Sequence, residues 1–318
     1  GTPSLFSPDS IDSLLAGIRA RIPVSPGAEI TLEANPGTLE NARLMHFKEA
    51  GVNRISLGIQ SFNDIHLKKL GRIHDAATAI KAVETASQCE FDKINLDLMF
   101  ALPEQSLKQA TTDLEQAIAL SPSHISYYQL TIEPNTAYFN HPPKLPAEDE
   151  SWDILEKGQT LLTQAGYAQY EVSAYSKPTQ ACQHNMNYWL FGDYLGIGAG
   201  AHAKISDASQ QSVTRYWKHK HPKDYLNRKN RTYVAGSRQL DGKERVFEFL
   251  LNALRLNEGF HIDTYLSRTG LSKHLLIEHL QLAISQNLVF CDIRSGIIKT
   301  TTIGRNFLNE ILQQCLPD

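Results

Sequence analysis

The sequence is poor in cysteine. Only four occur among 318 residues, and they stand far apart, at Cys89, Cys182, Cys291 and Cys315. They form no CxxC or CxxxCxxC group, so the printed sequence offers neither a zinc site nor a full set of ligands for an iron–sulfur cluster. We expect reduced thiols, most of them packed in the interior.

Long apolar runs and an excess of charge of one sign are also missing. The longest apolar stretches are far too short to cross a bilayer, and no charged-then-apolar export signal stands near the start. The formal net charge of -3 provides no overall attraction to nucleic acid or anionic lipid. The default expectation is therefore a globular protein in the cytoplasm.

What the sequence does contain is a repeated alternation of strand-like and helix-like segments. Its 42% hydrophobic content can form a large core, and its length favours about two domains. Four β-rich runs are EITLEAN from Glu29, RISLGIQ from Arg54, KINLDLMF from Lys93 and HISYYQL from His124. A fifth candidate, AQYEVSAY, follows a helix predicted from Glu148 to Ala165. This period predicts an α/β fold with a parallel sheet.

Helix-start signals support the alternation. Ser106 and Gln109 have the spacing of a capping box, which predicts a helix reaching Leu120. Thr38 precedes another helical segment, which is predicted to end at Gly51.

Polar side chains interrupt the predicted strands near their carboxyl ends, where parallel barrels bind their ligands. Glu33, Gln60 and Asp97 stand at such ends, and Arg72 follows the second strand. These residue types suit a zwitterionic amino acid joined to a nucleoside: an acid for the ammonium group, arginine for the carboxylate, and acceptors for ribose hydroxyls. Taken singly, each is also compatible with a helix cap or a solvated charge.

The carboxyl-terminal part has a different composition. Residues 206–236 are predicted to be a basic connector, with seven lysines and arginines between Arg215 and Arg231, and residues 237–318 a small winged-helix-like domain. Winged helices often bind DNA. The predicted recognition helix, Ser272 to Asn287, sets Lys273 against Glu278, which is too little positive charge for phosphate binding. We therefore expect no nucleic-acid partner, and a nucleic-acid adaptor is the least favoured function.

Four motifs follow one another within the first 135 residues: TLEANPG, LGIQSF, LGRIHD and INLDLMFALP, preceded by Gly1-Thr2-Pro3-Ser4. In this order they resemble the barrel motifs, and the end of the GGGTPS turn, of the radical-SAM coproporphyrinogen III oxidase family, which includes HemN and HemW. The resemblance implies an incomplete radical-SAM (β/α) barrel, TIM-like, over residues 1–205. It also implies an S-adenosyl-L-methionine site. There, Gly1, Thr2 and Glu33 would hold the methionine amino group, Arg72 its carboxylate, and Gln60 and Asp97 the ribose.

Family members bind a 4Fe–4S cluster through a CxxxCxxC loop after the first strand. The resemblance predicts that this loop and the first strand lie upstream of Gly1, in a segment that the chain lacks. Without those thiolates we expect the chain to be inactive in radical chemistry, so its status as an enzyme is left open.

A second group of motifs separates the subfamilies. HNxxYW at His184–Trp189 and YLGIGAGAH at Tyr194–His202 resemble HemW rather than HemN. The first motif is associated with haem binding in HemW. By this resemblance His184 is a candidate ligand of haem iron, and Tyr188 and Trp189 offer flat faces to the macrocycle. The alternatives are a structural role for His184, His202 as a reserve ligand, and Cys182 as a thiolate ligand.

The resemblance implies a HemW-like haem chaperone that delivers haem to haem-accepting proteins, with membrane-associated respiratory enzymes as one option. The alternative is the oxygen-independent oxidation of coproporphyrinogen III in porphyrin biosynthesis. Tyr127, Tyr128 and Gln129 are expected to shape the floor of the pocket. The basic segment is a candidate partner for haem propionates on charge alone.

Overall fold

A computed structural model of the chain describes residues 2–38, 40–227 and 232–317, with only the backbone of Thr38. It divides into two compact units, Gly1–Cys182 and Gln183–Asp318. The predicted boundary, near residue 205, lies further along the chain. The structure differs because the segment before residue 205 already packs in the second unit: Phe191 lies in its core, and Tyr194 forms a β-bridge with Lys204.

A six-stranded sheet forms the centre of the first unit, in the order β1-β2-β3-β4-β6-β5. Its strands are β1 (Thr31–Ala34), β2 (Arg54–Gln60), β3 (Lys93–Phe100), β4 (His124–Gln129), β5 (Ala168–Glu171) and β6 (Ala174–Ser176). Strands β1 to β4 are parallel, as predicted, while β6 is antiparallel to both β4 and β5. Across the described residues the sheet is open rather than a closed barrel.

The fifth predicted strand is in fact a hairpin. The chain reverses at Val172 and Ser173, between β5 and β6. Glu171 stabilises the reversal, because its Oε1 accepts hydrogen bonds from the Ser173 backbone N–H at 3.2 Å and from the Ser173 hydroxyl at 3.0 Å. A run of strand-like residues therefore contributes two antiparallel strands instead of one parallel strand.

Helices precede or connect these strands: α1 (Pro8–Arg19), α2 (Asn41–Glu49), α3 (Asp64–Lys69), α4 (Ala76–Gln88), α5 (Leu107–Ala119), α6 (Ala137–Asn140) and α7 (Glu148–Gln164). The capping box predicted at Ser106 and Gln109 is present at the start of α5. Helix α2 starts later than predicted, because Pro36–Thr38 forms a separate 3-10 turn. Among the described residues, every helix is too short or too polar to span a membrane.

Alternate residues of the strands lie on opposite faces of the sheet. One face is apolar and packs against the helices, with Leu57, Leu96 and Ile125 fully buried. The opposite face is polar and includes the buried side chains Ser56 and Asn95. Burial of the apolar face stabilises the unit, and the polar face is left to carry the site.

The second unit contains two antiparallel three-stranded sheets. The first consists of β7 (His202–Asp207), β8 (Ser212–Lys218) and β9 (Val234–Gln239), and the second of β10 (Phe260–His261), β11 (Val289–Asp292) and β12 (Ile297–Thr300). Its helices are α8 (Gln183–Trp189), α9 (Pro222–Tyr225), α10 (Gly242–Ala253), α11 (Ile262–Thr269), α12 (Lys273–Ser285), α13 (Thr302–Asn306) and α14 (Leu308–Gln314).

The carboxyl-terminal helices α10 to α12 are followed by the antiparallel β11–β12 hairpin and two short helices, in the order that the sequence predicts. Phe249 on α10 lies at the centre of their core, edge-on to Phe260 and Tyr265 with ring centroids 4.9 and 5.1 Å apart. Residues 206–236, which were predicted to be a connector, instead contain strand β8 and the start of β9. Arg228, Lys229 and Arg231 of the basic segment lie outside the described residues.

Gly158 provides a test of the packing between α7 and the sheet. A methyl group at this position would lie 2.7 Å from Tyr127 Cε1 and 3.0 Å from Leu114 Cδ1. We expect Gly158→Ala to lower the free energy of unfolding in urea by about 1–3 kcal/mol through overpacking. Gly17→Ala is the matched control, because its nearest neighbour is 3.5 Å away, and there alanine should raise stability by up to about 1 kcal/mol. Equal effects of the two substitutions would contradict the packing.

Candidate functional site

A pocket of about 220 Å³ opens at the carboxyl ends of β1, β2 and β3. It is lined by Thr2, Pro3, Glu33, Ala34, Asn35, Gly58, Gln60, Arg72 and Asp97. The structure thus brings together four of the residues that the sequence analysis singled out, Glu33, Gln60, Arg72 and Asp97, with Thr2 beside them. Gly1 lies outside the described residues.

Strand register explains why these residues meet. Glu33 on β1 is paired with Ser56 on β2, and Ser56 lies beside Asn95 on β3, two residues before Asp97. Because side chains two residues apart share a face, Glu33 and Asp97 lie on the polar face. The register of β2 shifts between Leu57 and Gln60, and the Gln60 side chain reaches the same face, where it meets Tyr128 Oη. Parallel strands bring their carboxyl ends to one edge, where the pocket is.

Asn35 and Gly58 are pocket residues that the sequence analysis did not single out. Asn35 Nδ2 donates to Thr2 Oγ1 at 2.9 Å, which ties the start of the described chain to the end of β1. A methyl group on Gly58 would lie 3.1 Å from Gln60 Nε2 and 3.2 Å from Asn35 Oδ1. Glycine here therefore keeps open a space between two polar side chains. Asn35 could have been predicted from the sequence, because it stands two residues after Glu33 and so shares its face of the strand.

Gln60 is held in a left-handed backbone conformation, with φ of 70°. This conformation is unfavourable for residues other than glycine, by about 1–3 kcal/mol. The turn that follows is held by Asp113 on α5, whose carboxylate accepts from Ser61 Oγ at 2.6 Å and from the Phe62 backbone N–H at 2.7 Å. The Gln60 side chain accepts a hydrogen bond from Tyr128 Oη at 2.8 Å, so both its backbone and its amide are oriented.

The two neighbouring tyrosines of β4 lie on opposite faces, which corrects the expectation that both shape the pocket floor. Tyr128 lies on the polar face, and burial raises its pKa to about 12, so its hydroxyl keeps the proton that it donates to Gln60. Tyr127 lies in the apolar core, with its ring 4.7 Å from that of Phe100. Gln129, the third expected floor residue, is exposed at the end of β4.

Arg72 is placed by a short loop after α3. Its backbone N–H donates to Leu67 O at 2.9 Å, in a helix end where Gly71 has φ of 67°. His74 anchors the loop to β2, because its Nε2 lies 3.1 Å from Ile59 O. Burial lowers the pKa of His74, which favours the neutral ring in this contact. The loop is therefore fixed at both sides of Arg72.

Asp97 is the half-buried carboxylate of the pocket. Its oxygens accept from Asn95 Nδ2 at 2.8 Å and from Ser56 Oγ at 3.1 Å. Burial raises the pKa of Asp97, while these hydrogen bonds and the charge of Arg54 act in the opposite direction. A ligand that donates two hydroxyl protons would further stabilise the ionised form.

The residues predicted to bind haem lie in the second unit, on and beside α8. His184 and Tyr188 are one turn apart, with their rings edge-on and centroids 6.5 Å apart. Tyr188 is 38% exposed and also packs edge-on against Tyr194 at 4.9 Å. Trp189 lies under the guanidinium of Arg255 at 4.4 Å, and within the described residues its buried Nε1 has no hydrogen-bond partner.

The glycine cluster after α8 is a tight turn, as its composition suggests. A methyl group on Gly196 would lie 1.9 Å from the carbonyl oxygen of His202, so only glycine allows this approach. His202, the reserve ligand, is the exposed first residue of β7 and is paired with Trp217. Arg215 of the basic segment is committed to an ion pair with Glu248 and a hydrogen bond to Tyr194 Oη, so it is not available to propionates.

The cysteines of the described residues do not fit an iron–sulfur cluster, because no three of them converge. Burial raises the pKa of Cys89, Cys291 and Cys315, which disfavours the thiolates that a cluster requires. Cys182 is fully buried and donates from Sγ to Glu29 Oε1 at 3.5 Å. That contact supports its reading as a small packed thiol.

Comparisons with known proteins agree with these observations. A family model described as the Radical SAM superfamily matches residues 1–117. The chain is 49% identical over 318 residues to the Heme chaperone HemW of Haemophilus influenzae, and 46% identical over 319 residues to that of Escherichia coli. Each alignment covers 100% of this chain and 82% of the relative.

Among solved structures, coproporphyrinogen III oxidase (HemN) from Escherichia coli, described as a radical SAM enzyme, matches with a TM-score of 0.81. The identity is 21%, and the match covers 99% of this chain and 76% of that one. At this identity the match shows the fold alone, and it confirms the predicted fold class. The roles of the individual site residues remain predictions.

Asp113 provides a test of the turn behind Gln60. Burial raises the pKa of Asp113 from 3.8 to about 6, so the folded state holds its proton up to a higher pH than the unfolded state. Its contribution to stability is full below pH 3.8 and is lost as the pH rises through about 6. We expect the wild type to lose about 3 kcal/mol of folding stability in this way. Asp113→Asn keeps a donor for Ser61 and an acceptor for Phe62 but does not titrate, so this loss should be absent.

The measurement is the free energy of unfolding in urea from about pH 4 to about pH 7.5, for the wild type and Asp113→Asn. The exposed Asp153 on α7 offers the control, and Asp153→Asn should follow the wild type at every pH. A wild type that gains stability relative to Asp113→Asn as the pH rises would contradict the assignment.

Proposed function

This chain belongs to the HemW family of the radical SAM superfamily, and we propose on that premise that it binds S-adenosyl-L-methionine and haem and delivers haem to haem-accepting proteins. The observation that carries the proposal is the convergence of Glu33, Gln60, Arg72 and Asp97 on one pocket. The relatives named heme chaperones are similar over the whole chain, whereas HemN shares the fold at 21% identity. This contrast favours the chaperone over the oxidase.

Each pocket residue suits one part of S-adenosyl-L-methionine. We propose that Glu33, with Gly1 and Thr2, holds the amino group, and that Arg72 holds the carboxylate with its planar fork. Gln60 and Asp97 are proposed to accept the ribose hydroxyls. The space that Gly58 leaves open supports this fit, because it lies between Asn35 and Gln60, one of the proposed ribose acceptors. No radical step is proposed, since the described cysteines do not fit the cluster.

For haem, the proposed iron ligand is His184, with Tyr188 and Trp189 packing on the macrocycle. The half-buried imidazole of a short helix and a tyrosine one turn away offer a ligand next to a flat apolar face. The buried Nε1 of Trp189 is a donor that a bound carboxylate would satisfy. Haem acceptors, including membrane-associated respiratory enzymes, and a cytoplasmic location are part of the same proposal. Within the described residues the cysteines form no disulfide, which suits a reducing compartment.

Asp97 is the first residue to test. We expect Asp97→Asn to weaken the binding of S-adenosyl-L-methionine by about tenfold or more in isothermal titration calorimetry, because an amide cannot accept two ribose hydroxyls as a carboxylate does. Asp153→Asn is the control and should bind as the wild type does. If Asp97→Asn keeps the wild-type affinity, Asp97 is not a ribose ligand.

His184 is tested by titration with hemin, following the haem absorption band. In His184→Ala we expect the band of the wild-type complex to shift and the affinity to fall by more than about tenfold, because an iron ligand is lost. His202→Ala tests the reserve ligand, and the exposed His141→Ala is the control. Identical spectra and affinities in the wild type and His184→Ala would leave His184 with a structural role.

A further inference from the structure

Beneath the pocket, buried and half-buried polar side chains form a hydrogen-bonded line on the polar face of the sheet. It starts at Asp97, whose Oδ1 accepts from Asn95 Nδ2 at 2.8 Å. The amide oxygen of Asn95 lies 2.6 Å from Nδ1 of His124, and Nε2 of the same ring lies 2.8 Å from the hydroxyl of Tyr170. Asn95 and His124 are 2% and 1% exposed, so water does not compete for these contacts.

The direction of each hydrogen bond follows from the atom types. An amide oxygen can only accept, so the proton between Asn95 and His124 belongs to Nδ1 of the imidazole. In the neutral ring Nε2 is then an acceptor, and it takes the proton of the Tyr170 hydroxyl. The Tyr170 oxygen accepts in turn from the backbone N–H of Cys182 at 3.4 Å. Every donor in the line therefore points towards Asp97.

The orientation of the Asn95 amide is the step that matters for the carboxylate. In the observed orientation its two N–H groups reach Asp97 Oδ1 and Ser56 Oγ, the latter at 2.9 Å, and the Ser56 hydroxyl donates to Asp97 Oδ2. A reversed amide would place an oxygen against the carboxylate and remove this donor. Two donors to the amide oxygen select the observed orientation: His124 Nδ1 and, at 3.1 Å, Ser126 Oγ.

We propose that His124 is a positioning residue for the nucleoside pocket. By donating from Nδ1 it locks the Asn95 amide, and Asn95 in turn donates to the Asp97 carboxylate at the pocket. His124 does this without touching the ligand. The inference rests on the proposed function, because it assigns His124 to the same S-adenosyl-L-methionine site.

The experiment compares two substitutions of one residue. In His124→Asn the side-chain nitrogen takes the place of Nδ1 and can still donate to Asn95, whereas His124→Leu removes the donor. We expect His124→Leu to weaken S-adenosyl-L-methionine binding between about tenfold and about a hundredfold in calorimetry, and His124→Asn to stay within about threefold of the wild type. Tyr170→Phe, at the far end of the line, should also stay within about threefold.

A pH profile separates positioning from a general structural defect. The titratable or charged groups that face Asp97 are Glu33 on β1, Arg54 on β2, Arg72 after α3, and His124 and Tyr128 on β4. In His124→Leu the Asn95 amide is no longer locked, and when it stops donating to Asp97, protonation of that carboxylate becomes easier. Affinity is measured from about pH 8.5 down to about pH 5.5. As the pH is lowered, His124→Leu should lose affinity at a higher pH than the wild type, while His124→Asn keeps the wild-type profile.

The possible results are distinct. The inference is overturned if His124→Asn and His124→Leu lose affinity equally, or if neither does, or if the two share one pH profile. Nitrogen NMR of the imidazole gives a readout without ligand: a proton on Nδ1 is expected in the folded wild type, and a proton on Nε2 alone also overturns it. A wild type that fails to bind S-adenosyl-L-methionine at all would instead defeat the proposed function.

Discussion

The Asp97 carboxylate lies within a parallel strand, where a charge is tolerated only if hydrogen-bond donors surround it. Asn95 and Ser56 supply those donors from the same face of the sheet. This face can be polar because alternate residues of the same strands bury Leu57, Leu96 and Ile125 against the helices. The apolar face provides the stability, so the polar face does not have to form a core and can hold the half-buried carboxylate at the pocket.

A second interaction that shapes the pocket comes from helix α5, which packs on the apolar face of the sheet. Gln60 adopts an unfavourable backbone conformation at the end of β2, and a carboxylate from α5 holds the turn that follows it. Asp113 is itself buried, so the helix–sheet contact that covers the core also secures a residue of the pocket. Strain of this kind persists only where the surroundings determine the geometry, and here the surroundings are a helix and Tyr128.

Partly or fully buried charged groups also fix the backbone in the second unit. Lys204 on β7 is 1% exposed, and its ammonium lies 2.7 Å from Asp193 Oδ1 and 4.2 Å from the ring centroid of Phe191. Burial lowers the pKa of Lys204, and its partner Asp193 acts in the opposite direction. Together with the pair formed by Arg215 and Glu248, this contact holds the segment that follows α8. The segment that follows the His184 helix is thus anchored by polar contacts of Asp193 and Tyr194.

Much of the first unit could be predicted from local sequence. Strands β2, β3 and β4 and helix α7 have nearly the predicted limits, because a period of two or of 3.6 and a capping box are properties of neighbouring residues. Glu33, Gln60 and Asp97 could be found because polar residues at the ends of parallel strands share an edge. The hairpin of β5 and β6 could not, since a strand-like run does not reveal where a side chain such as Glu171 will reverse it.

Tertiary structure alone decided which residues support the site. Asp113 meets Ser61 across 52 positions of sequence, and His124 meets Asn95 across 29. No local pattern connects such residues, because their contacts follow from strand order, register and the seating of α5 on the sheet. The sequence by itself determined the kinds of side chain at the pocket and the family to which they belong. The packing of the core determined which of those side chains face one another.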